Sequence, residues 1–360
     1  MSNETKLSHG VMEGQGAYNR YAKLPAGGAA LAMPLLEKAV HGLQVSHENR
    51  PLVIADYGSS QGKNSFAPLT LAIKTLRSRF GPARPIFAYH IDQPSNDFNS
   101  LFEVLDTDPD RYDLNEPNVF PAAIGRSFYG QVLPAGYVDL GWSSYAAVWL
   151  SRVPGRISGH FIPFHNAQAL AEFAAQAATD WESFLSLRAL ELRPGGRLVV
   201  VLPARDERGL TGFEVLMDHA NEVLAHLVAT GGIQAEERAR MALRTYPRQK
   251  HELLAPFASD GKFRQLVVED CELSVLEDAA WTDYERNGDK DALAAKHALF
   301  FRSIFVPTLA TALARAADPE GRRVFADQME HGLKRRLANQ PAPLHSFVST
   351  LVLAKNEPRG

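Results

Sequence analysis

The stretch LVIADYGSSQGKN, residues 52–64, decides the fold. It begins with a short apolar run, Leu52 to Asp56, that ends at an acidic residue and passes directly into a turn rich in glycine and serine. A continuous apolar run of this length is typical of a buried parallel strand, and a small-residue turn after it is typical of the loop before a helix. The pattern therefore predicts a strand, a loop and a helix, and we expect the helix over Pro68 to Arg79.

The same unit recurs along the chain. Further apolar runs predict strands at 86–91, 119–124, 137–141 and 198–202, and helical stretches separate most of them. Strands that alternate with helical crossovers predict an α/β fold with a mostly parallel, doubly wound sheet, which binds ligands at the carboxyl ends of its strands. Residues 180–192 are predicted to be a helix that the Pro-Gly-Gly turn at 194–196 stops before the last of these strands.

The second half of the chain is predicted to be mainly helical. Residues 207–250 and 278–337 have no strand signals, whereas 263–268 and 347–353 have strand length and many β-branched residues, which favours an antiparallel pair that closes the sheet. We therefore expect an α/β core of residues 1–206, completed by about 260–277 and 340–360. The segments at about 207–259 and 278–339 would form a helical cap over the ligand site.

Composition excludes several classes of protein. Among 360 residues, 38 Lys and Arg oppose 41 Asp and Glu, so a strongly basic nucleic-acid binder is not expected. The single cysteine, Cys271, excludes an internal disulfide and favours a reducing compartment. We find neither a signal-peptide pattern nor a long apolar span, and the twelve histidines include no H-E-x-x-H. We therefore expect a cytoplasmic protein without a membrane partner or a metal.

Two acidic residues that end neighbouring strands carry the predicted chemistry. Asp56 opens the pattern D-x-G-S-S-x-G-x-N, whose further members are Gly58, Ser59, Ser60, Gly62 and Asn64. Glycine lets the backbone turn tightly against a ligand, and the pattern matches neither a Walker loop nor a dinucleotide fingerprint. Asp92 ends the second strand, where its carboxylate could accept from both hydroxyls of a ribose.

Two such acids without a phosphate loop indicate a nucleoside that carries a positive charge, and S-adenosylmethionine (SAM) is the obvious candidate. The alternatives are a plain loop at 58–64 and a helix cap at Asp92. For Asp97, a cap or turn is the preferred interpretation.

A family resemblance joins these motifs to others. The stretches MEGQGAY (12–18), IADYGSSQGKNS (54–65), DQPSNDFNSLF (92–102), GRSFYGQVLP (125–134), SSYAAVWLSRVP (143–154) and LRPGGRLVV (192–200) follow one another in the order and spacing of one family. They resemble the plant-type salicylate and jasmonate carboxyl methyltransferases, called SABATH. The resemblance covers nearly the whole chain and implies a Rossmann-like, SAM-dependent methyltransferase with a helical cap. It also implies a homodimer, and the composition would suit a bacterial member.

The resemblance assigns residues to two sites. The residues that would hold the methyl donor are Tyr18, Asp56, Gly58, Ser59, Ser60, Asn64, Asp92, Gln93, Ser127 and Phe128. The residues that would contact the acceptor are Tyr145, Val148, Trp149, Phe213 and Tyr246. We expect Tyr145 and Trp149 to share one face of a helix, with the Trp149 indole N–H donating to an acceptor oxygen.

Three positions depart from the family pattern. Pro25 stands where the carboxyl methyltransferases place a glutamine that clamps the carboxylate, Ala22 replaces a serine, and Trp142 replaces a histidine. We therefore expect a reshaped, more apolar acceptor pocket. The preferred interpretation is methylation of the carboxylate of a small hydrophobic or aromatic acid, without a general base. The alternatives are a nitrogen methyltransferase of the same family and a non-catalytic binding protein of the same fold.

Overall fold

The computed structural model describes residues 23–45, 50–316 and 318–356, and its centre is one eight-stranded sheet. The strands are β1 (Leu52–Tyr57), β2 (Ile86–Asp92), β3 (Val119–Gly125), β4 (Val138–Ser144), β5 (Leu192–Pro203), β6 (Lys262–Phe263), β7 (Leu266–Leu276) and β8 (Ser346–Lys355). Their order is β3-β2-β1-β4-β5-β8-β7-β6. The first five are parallel, and β8, β7 and β6 continue the sheet in antiparallel fashion. The strand order reverses between β1 and β4, which is where such sheets bind ligands.

Helices cover the sheet and form a separate layer after β5. Those associated with the first five strands are α1 (Lys23–Leu31), α2 (Met33–Gly42), α3 (Phe66–Phe80), α4 (Phe98–Thr107) and α5 (Ala167–Glu191). The later ones are α6 (Glu214–Ala229), α7 (Ala235–Arg238), α8 (Lys250–Leu254), α9 (Ala279–Asn287), α10 (Lys290–Ile304), α11 (Val306–Ala310) and α12 (Pro319–Asn339). No helix in the described ranges is long and apolar enough to cross a membrane.

Every residue of β1 is buried, as expected for a central parallel strand. Leu52 and Ile54 pack in the core that contains α2 and α3, whereas Val53 and Tyr57 pack in the core that contains α5. A third apolar core joins α6, α10, α11 and α12 without the sheet. The doubly wound α/β sheet and the helical layer are therefore confirmed.

Predictions of secondary structure are wrong in extent at several places. The predicted strand 263–268 is divided by a turn at Arg264 and Gln265, so β6 ends at Phe263 and β7 begins at Leu266. Strand β5 already begins at Leu192, and the turn at 194–196 lies inside it, where the register with β4 shifts between Val138 and Leu140. Residues 207–250 are not helical throughout, because 239–249 include an extended segment that pairs Thr245 with Trp149 and Arg248 with Ala204. These pairings are long-range contacts, which local sequence patterns do not report.

Candidate active site

The turn after β1 passes so close to another loop that only glycine fits at its first bend. Gly58 has a φ of +96°, and its N–H donates to the carbonyl of Ile91 at 2.8 Å. A Cβ at Gly58 would lie 2.1 Å from the Cβ of Ala146. The turn is therefore packed against the loop after β4, which contains Tyr145, Val148 and Trp149, three of the residues predicted to contact the acceptor.

Asp56 lies beneath this turn in a buried network that the sequence did not reveal. One oxygen of Asp56 accepts from the Ser65 hydroxyl at 2.5 Å and lies 3.2 Å from His90 Nδ1. The other ring nitrogen, His90 Nε2, lies 2.8 Å from the Tyr112 hydroxyl. The parallel register of β1 and β2 pairs Asp56 with His90, so this contact depends on strand pairing. The network holds the Asp56 carboxylate in one orientation.

Asp92 binds the backbone of the glycine-rich turn and does not cap a helix. Its carboxylate accepts from the backbone N–H of Ser60 and of Gln93, both at 2.7 Å. The cap of α4 is Asp97, which accepts from the N–H of Ser100 at 3.1 Å, so that prediction is confirmed. Burial raises the pKa of Asp92 to about 6. The two N–H donors oppose this shift, and the charge of Asp56 adds to it by a smaller amount.

Two hydroxyl groups of this turn are buried without a hydrogen-bond partner among the described residues. They belong to Ser59 and to Ser60, which has a φ of +49°. An unsatisfied buried polar group costs about 1 to 3 kcal/mol, so a polar ligand that supplies partners here would be favoured. The two carboxylates accept hydrogen bonds, and the two hydroxyls can donate or accept them. Together these groups fit a nucleoside with hydroxyl and amino groups. Asn64 lies close by in the 3₁₀ turn Lys63–Ser65, directly before α3.

Phe128 reaches the same turn from the connection between β3 and β4. A Cβ at Gly58 would lie 3.6 Å from the Phe128 ring, which packs edge-on against Phe184 at 5.8 Å between centroids. The Ser127 hydroxyl accepts from the N–H of Tyr129 at 3.3 Å. The structure therefore gathers Asp56, Asp92 and Phe128 around one turn. Tyr18 and Ala22 lie outside the described residues.

The segment that carries Tyr145 and Trp149 is a loop, so the predicted helix is wrong. Tyr145 has a φ of +58°, which a helix does not allow, and the Trp149 N–H donates to the carbonyl of Ala146. Val148 is buried, and its carbonyl accepts from the N–H of Tyr246 at 3.0 Å. Bonds from outside the segment have replaced the bonds of a helix. Tyr145 and Trp149 therefore do not share a helical face.

Trp149 is half-buried in a group of apolar side chains that we call the aromatic cluster. Its members are Trp149, Phe213, Phe300, Ile304 and Phe305. Trp149, Phe300 and Phe305 pack around Ile304, and Phe213 stacks on Phe300 with centroids 5.8 Å apart. The sequence pointed to Trp149 and Phe213, but the three members from α10 and its end were missed. Their only signal was an apolar face of a predicted helix.

Tyr246 has a hydroxyl that is already bonded. It donates to Glu252 at 2.6 Å and accepts from Arg205 at 2.7 Å, and the side chain is 2% exposed. Its neighbour Thr245 is the residue that pairs with Trp149. A contact between the Tyr246 hydroxyl and an acceptor would therefore require the bonds to Glu252 and Arg205 to be exchanged.

Of the three positions expected to depart from the family pattern, the two within the described residues, Pro25 and Trp142, are apolar and buried. Pro25 is buried in α1, and α1 lies against the Tyr145 ring, because a Cβ at Gly28 would be 2.2 Å from its hydroxyl oxygen. Trp142 is 1% exposed in β4 and belongs to the sheet core. Trp142 is therefore a packing residue of the sheet core.

His160, His165 and Asp218 lie together at the surface, a cluster that the sequence spacing did not show. Asp218 is 3.1 Å from His165 Nε2 and 3.5 Å from His160 Nε2. The His160 Nδ1 accepts from the N–H of Phe161 and of Ile162, so in the neutral ring the proton is on Nε2. Burial lowers the pKa of His160 to about 4. Since the Nε2 facing Asp218 has no lone pair to offer, we assign no metal to this cluster.

Comparisons with known proteins identify the family of the chain. A family model described as SAM dependent carboxyl methyltransferase matches residues 5–353. Methyltransferase LUC1 of a Fusarium species is 31% identical over 252 residues, 69% of this chain and 66% of that protein. Probable 7-methylxanthine methyltransferase 3 of Theobroma cacao is 27% identical over 292 residues, 75% of this chain and 79% of that protein. Gibberellic acid methyltransferase 2 of Arabidopsis thaliana is 26% identical over 262 residues, 65% of this chain and 66% of that protein.

The fold also matches a solved structure. Loganic acid methyltransferase with bound SAH superposes with a TM-score of 0.77 at 21% identity, over 96% of this chain and 99% of the other. The relatives named above come from plants and a fungus, so the expectation of a bacterial member has no support from them. The fold, the turn with its two carboxylates and the match over residues 5–353 lead to one conclusion: the chain belongs to the SAM-dependent carboxyl methyltransferase family.

Proposed function

We propose that this enzyme methylates the carboxylate oxygen of a small hydrophobic or aromatic acid. The observation that carries the proposal is the position of the aromatic cluster. Trp149 is three residues from Ala146, whose side chain packs against the glycine turn of the donor site. A flat apolar acceptor held by Phe213 and Phe300 would therefore lie beside that turn, with the Trp149 indole N–H as a hydrogen-bond donor.

The donor site is assigned to the residues around the turn. Asp92 would accept from the ribose hydroxyls, Asp56 would face the amino group, and Phe128 would stack on the adenine. Ser59, Ser60, Asn64, Gln93 and Ser127 would supply the remaining polar contacts. The buried, unpartnered hydroxyls of Ser59 and Ser60 support this assignment. The role of Tyr18 stays a prediction.

The chain's part in the reaction is to hold the acceptor. SAM, when bound, supplies a methyl group activated by the adjacent sulfonium. A carboxylic acid with a pKa of about 4 is already ionised at pH 7, so none of these residues has to remove a proton. Trp149 would orient the acceptor oxygen, and the aromatic cluster would exclude water. Positioning of this kind can contribute about 7 kcal/mol or more.

Methylation of a ring nitrogen is the second candidate, and Pro25 favours it. A proline has no side-chain donor, so the clamp that carboxyl methyltransferases of this family use is missing at this position. A relative named for 7-methylxanthine, a purine, matches 75% of the chain. A nitrogen acceptor would need no carboxylate clamp.

A product assay separates the two candidates. The enzyme is incubated with labelled SAM and either a panel of aromatic and terpenoid acids or 7-methylxanthine. Mild alkali releases the label from a methyl ester but not from a methylated nitrogen. We expect alkali-labile products from at least one acid. Transfer to 7-methylxanthine alone would establish the second candidate, and SAH binding without transfer to any acceptor would favour a binding protein.

A further inference from the structure

We propose that Tyr129 is a positioning residue for methyl transfer, because it ties the segment assigned to the donor site to the loop that carries Trp149. Its hydroxyl donates to the carbonyl of Trp149 at 2.6 Å. The inference rests on the proposed function, because the acceptor role of Trp149 is part of that function. Tyr129 itself would touch neither the donor sulfonium nor the acceptor oxygen, so it would act through Trp149.

The loop 145–151 depends on bonds from outside for its shape. The carbonyl of Ala147 accepts from Arg248 at 2.8 Å, and the carbonyl of Trp149 accepts from Tyr129. At its end, the hydroxyl and the N–H of Ser151 both donate to the buried carboxylate of Asp180 at 2.7 Å. Of these bonds, the one from Tyr129 reaches the backbone of Trp149 itself. The Trp149 side chain should therefore be more sensitive to Tyr129 than to the other anchors.

The other end of this link is held by a buried ion pair. Residues on either side of Tyr129 are held by Arg188, which donates to the carbonyl of Phe128 at 2.7 Å and to that of Gly130 at 3.2 Å. Arg188 is fully buried and paired with Glu191 at 2.9 Å. The Tyr129 ring also packs on Phe128, with centroids 4.9 Å apart. The hydroxyl of Tyr129 thus extends from the residues assigned to adenine binding.

The chemistry of the hydroxyl suits a permanent link. Burial raises the pKa of Tyr129 well above its usual value, so the group keeps its proton at working pH. The carbonyl of Trp149 can only accept, so the direction of the bond is fixed. Methyl transfer requires near-linear alignment of three atoms, and a small shift of Trp149 would lower the fraction of aligned complexes.

The test uses Tyr129→Phe, which removes one oxygen and keeps the ring. The matched control is Tyr89→Phe. Tyr89 lies on strand β2, and its hydroxyl is 3.1 Å from that of Tyr137, so the change removes one hydroxyl-to-hydroxyl contact elsewhere in the molecule. Three quantities are compared with wild type: SAH affinity by calorimetry, amide hydrogen exchange of residues 145–151, and kcat and KM for the best acid of the panel. A third variant places p-aminophenylalanine at position 129, which restores an N–H donor.

We expect Tyr129→Phe to keep SAH affinity within about threefold, to speed exchange in 145–151 by about tenfold or more, and to lower kcat more than it raises KM. The p-aminophenylalanine variant should recover much of both losses, and Tyr89→Phe should match wild type. Unchanged exchange in 145–151 would overturn the proposal, whether or not any acid is methylated. Uniformly faster exchange with no rescue by the restored donor would equally overturn it, because it would show a general loss of stability. If wild type methylates no acid but the exchange result holds, only the proposed function has failed.

Discussion

At the scale of single residues, Asp92 combines a structural role with the proposed role in donor binding. Its carboxylate accepts two backbone N–H groups of the turn and lies close enough to Asp56 for their charges to repel. A buried carboxylate with a raised pKa destabilises the ligand-free protein when it is ionised. A carboxylate whose pKa is shifted by burial and by a neighbouring charge is a candidate for a binding site.

We predict that Asp92→Asn lowers SAH affinity by about 10- to 150-fold, because a charge-assisted hydrogen bond contributes roughly 1.5 to 3 kcal/mol. Asn can still accept from the N–H of Ser60, so the fold should persist. The control is Asp106→Asn, an exposed change on α4. Calorimetry with SAH checks both, and affinity within twofold of wild type for Asp92→Asn would refute the assignment.

The pKa of Asp92 also predicts a pH dependence. Folding raises the pKa of Asp92 from 3.8 to about 6, so ionised Asp92 lowers the stability of the ligand-free protein. This loss of stability is absent below about pH 3.8 and complete above about pH 6. Donor binding has the opposite sign if the ribose needs the ionised carboxylate. SAH affinity should then be constant above about pH 6.5 and fall as the pH drops through 6. Calorimetry from pH 5 to 8 tests this, and Asp92→Asn should lose the pH-dependent part.

Trp149→Phe distinguishes an acceptor contact from a packing role. The substitution keeps most of the apolar volume and removes the indole N–H, so we expect kcat/KM for the acid to fall by roughly 1 to 3 kcal/mol. SAH affinity should be unchanged. Trp281→Phe on α9, whose indole donates to Glu285 at 2.9 Å, is the control. Normal kcat/KM together with a lower Tm would show that Trp149 only packs.

At the scale of elements, one acidic residue joins four segments of the chain. Asp278 follows β7 and caps α9 through the N–H groups of Ala280 and Trp281. Its other oxygen accepts from the N–H of Leu344 before β8 and lies 2.8 Å from His297 Nε2 on α10. These contacts attach the helical layer to the antiparallel end of the sheet.

We predict that Asp278→Ala destabilises the protein by about 2 to 4 kcal/mol, because it removes a helix cap and leaves His297 without its buried partner. His297 and the N–H of Leu344 hold the pKa of Asp278 below its usual value, although burial opposes them. The stabilisation is therefore present above about pH 4 and is lost at lower pH. Urea unfolding measures the change. Asp283 on α9 has a more exposed side chain than Asp278, so Asp283→Ala should have a much smaller effect on stability. Equal effects of the two substitutions would contradict the proposal that Asp278 attaches the helical layer to the sheet.

At the scale of the whole molecule, the order of the strands places the site. Since β1 lies between β2 and β4, the turn after β1 lies beside both Asp92 at the end of β2 and the loop 145–151 after β4. The helical layer adds Phe213 and the residues at the end of α10. The proposed site would thus contain parts of the chain from residue 56 to residue 305.

We predict a homodimer, on the family resemblance alone. Light scattering at micromolar concentration should give about twice the 39.6 kDa of the chain. A mass of one chain across the accessible concentration range would contradict the prediction. SAH titrations on the same samples would then report one site in each chain.

Much of the fold and of the candidate donor site could be predicted from the sequence. Short stretches of sequence are enough to predict the strands at 52, 86, 119 and 198 and the small residues of the turn. This is because burial and tight turns each select residue types locally. Asp56 and Asp92 could be predicted as candidate ligand-binding residues because each directly ends a predicted strand. The conformation of 145–151 could not be predicted, because Tyr129, Arg248 and Asp180 shape it from distant positions.

The sequence by itself determined the α/β class, the strands and the residues of the glycine-rich turn, since each depends on neighbours within a few positions. Only the tertiary structure decided which side chains meet: His90 beneath Asp56, Phe300 and Ile304 around Trp149, and the link from Tyr129. Those contacts join residues tens to more than a hundred positions apart, and they form only when strand order and helix packing bring them together. The physical reason is that burial of apolar surface acts on the whole chain, whereas turn and strand preferences act locally.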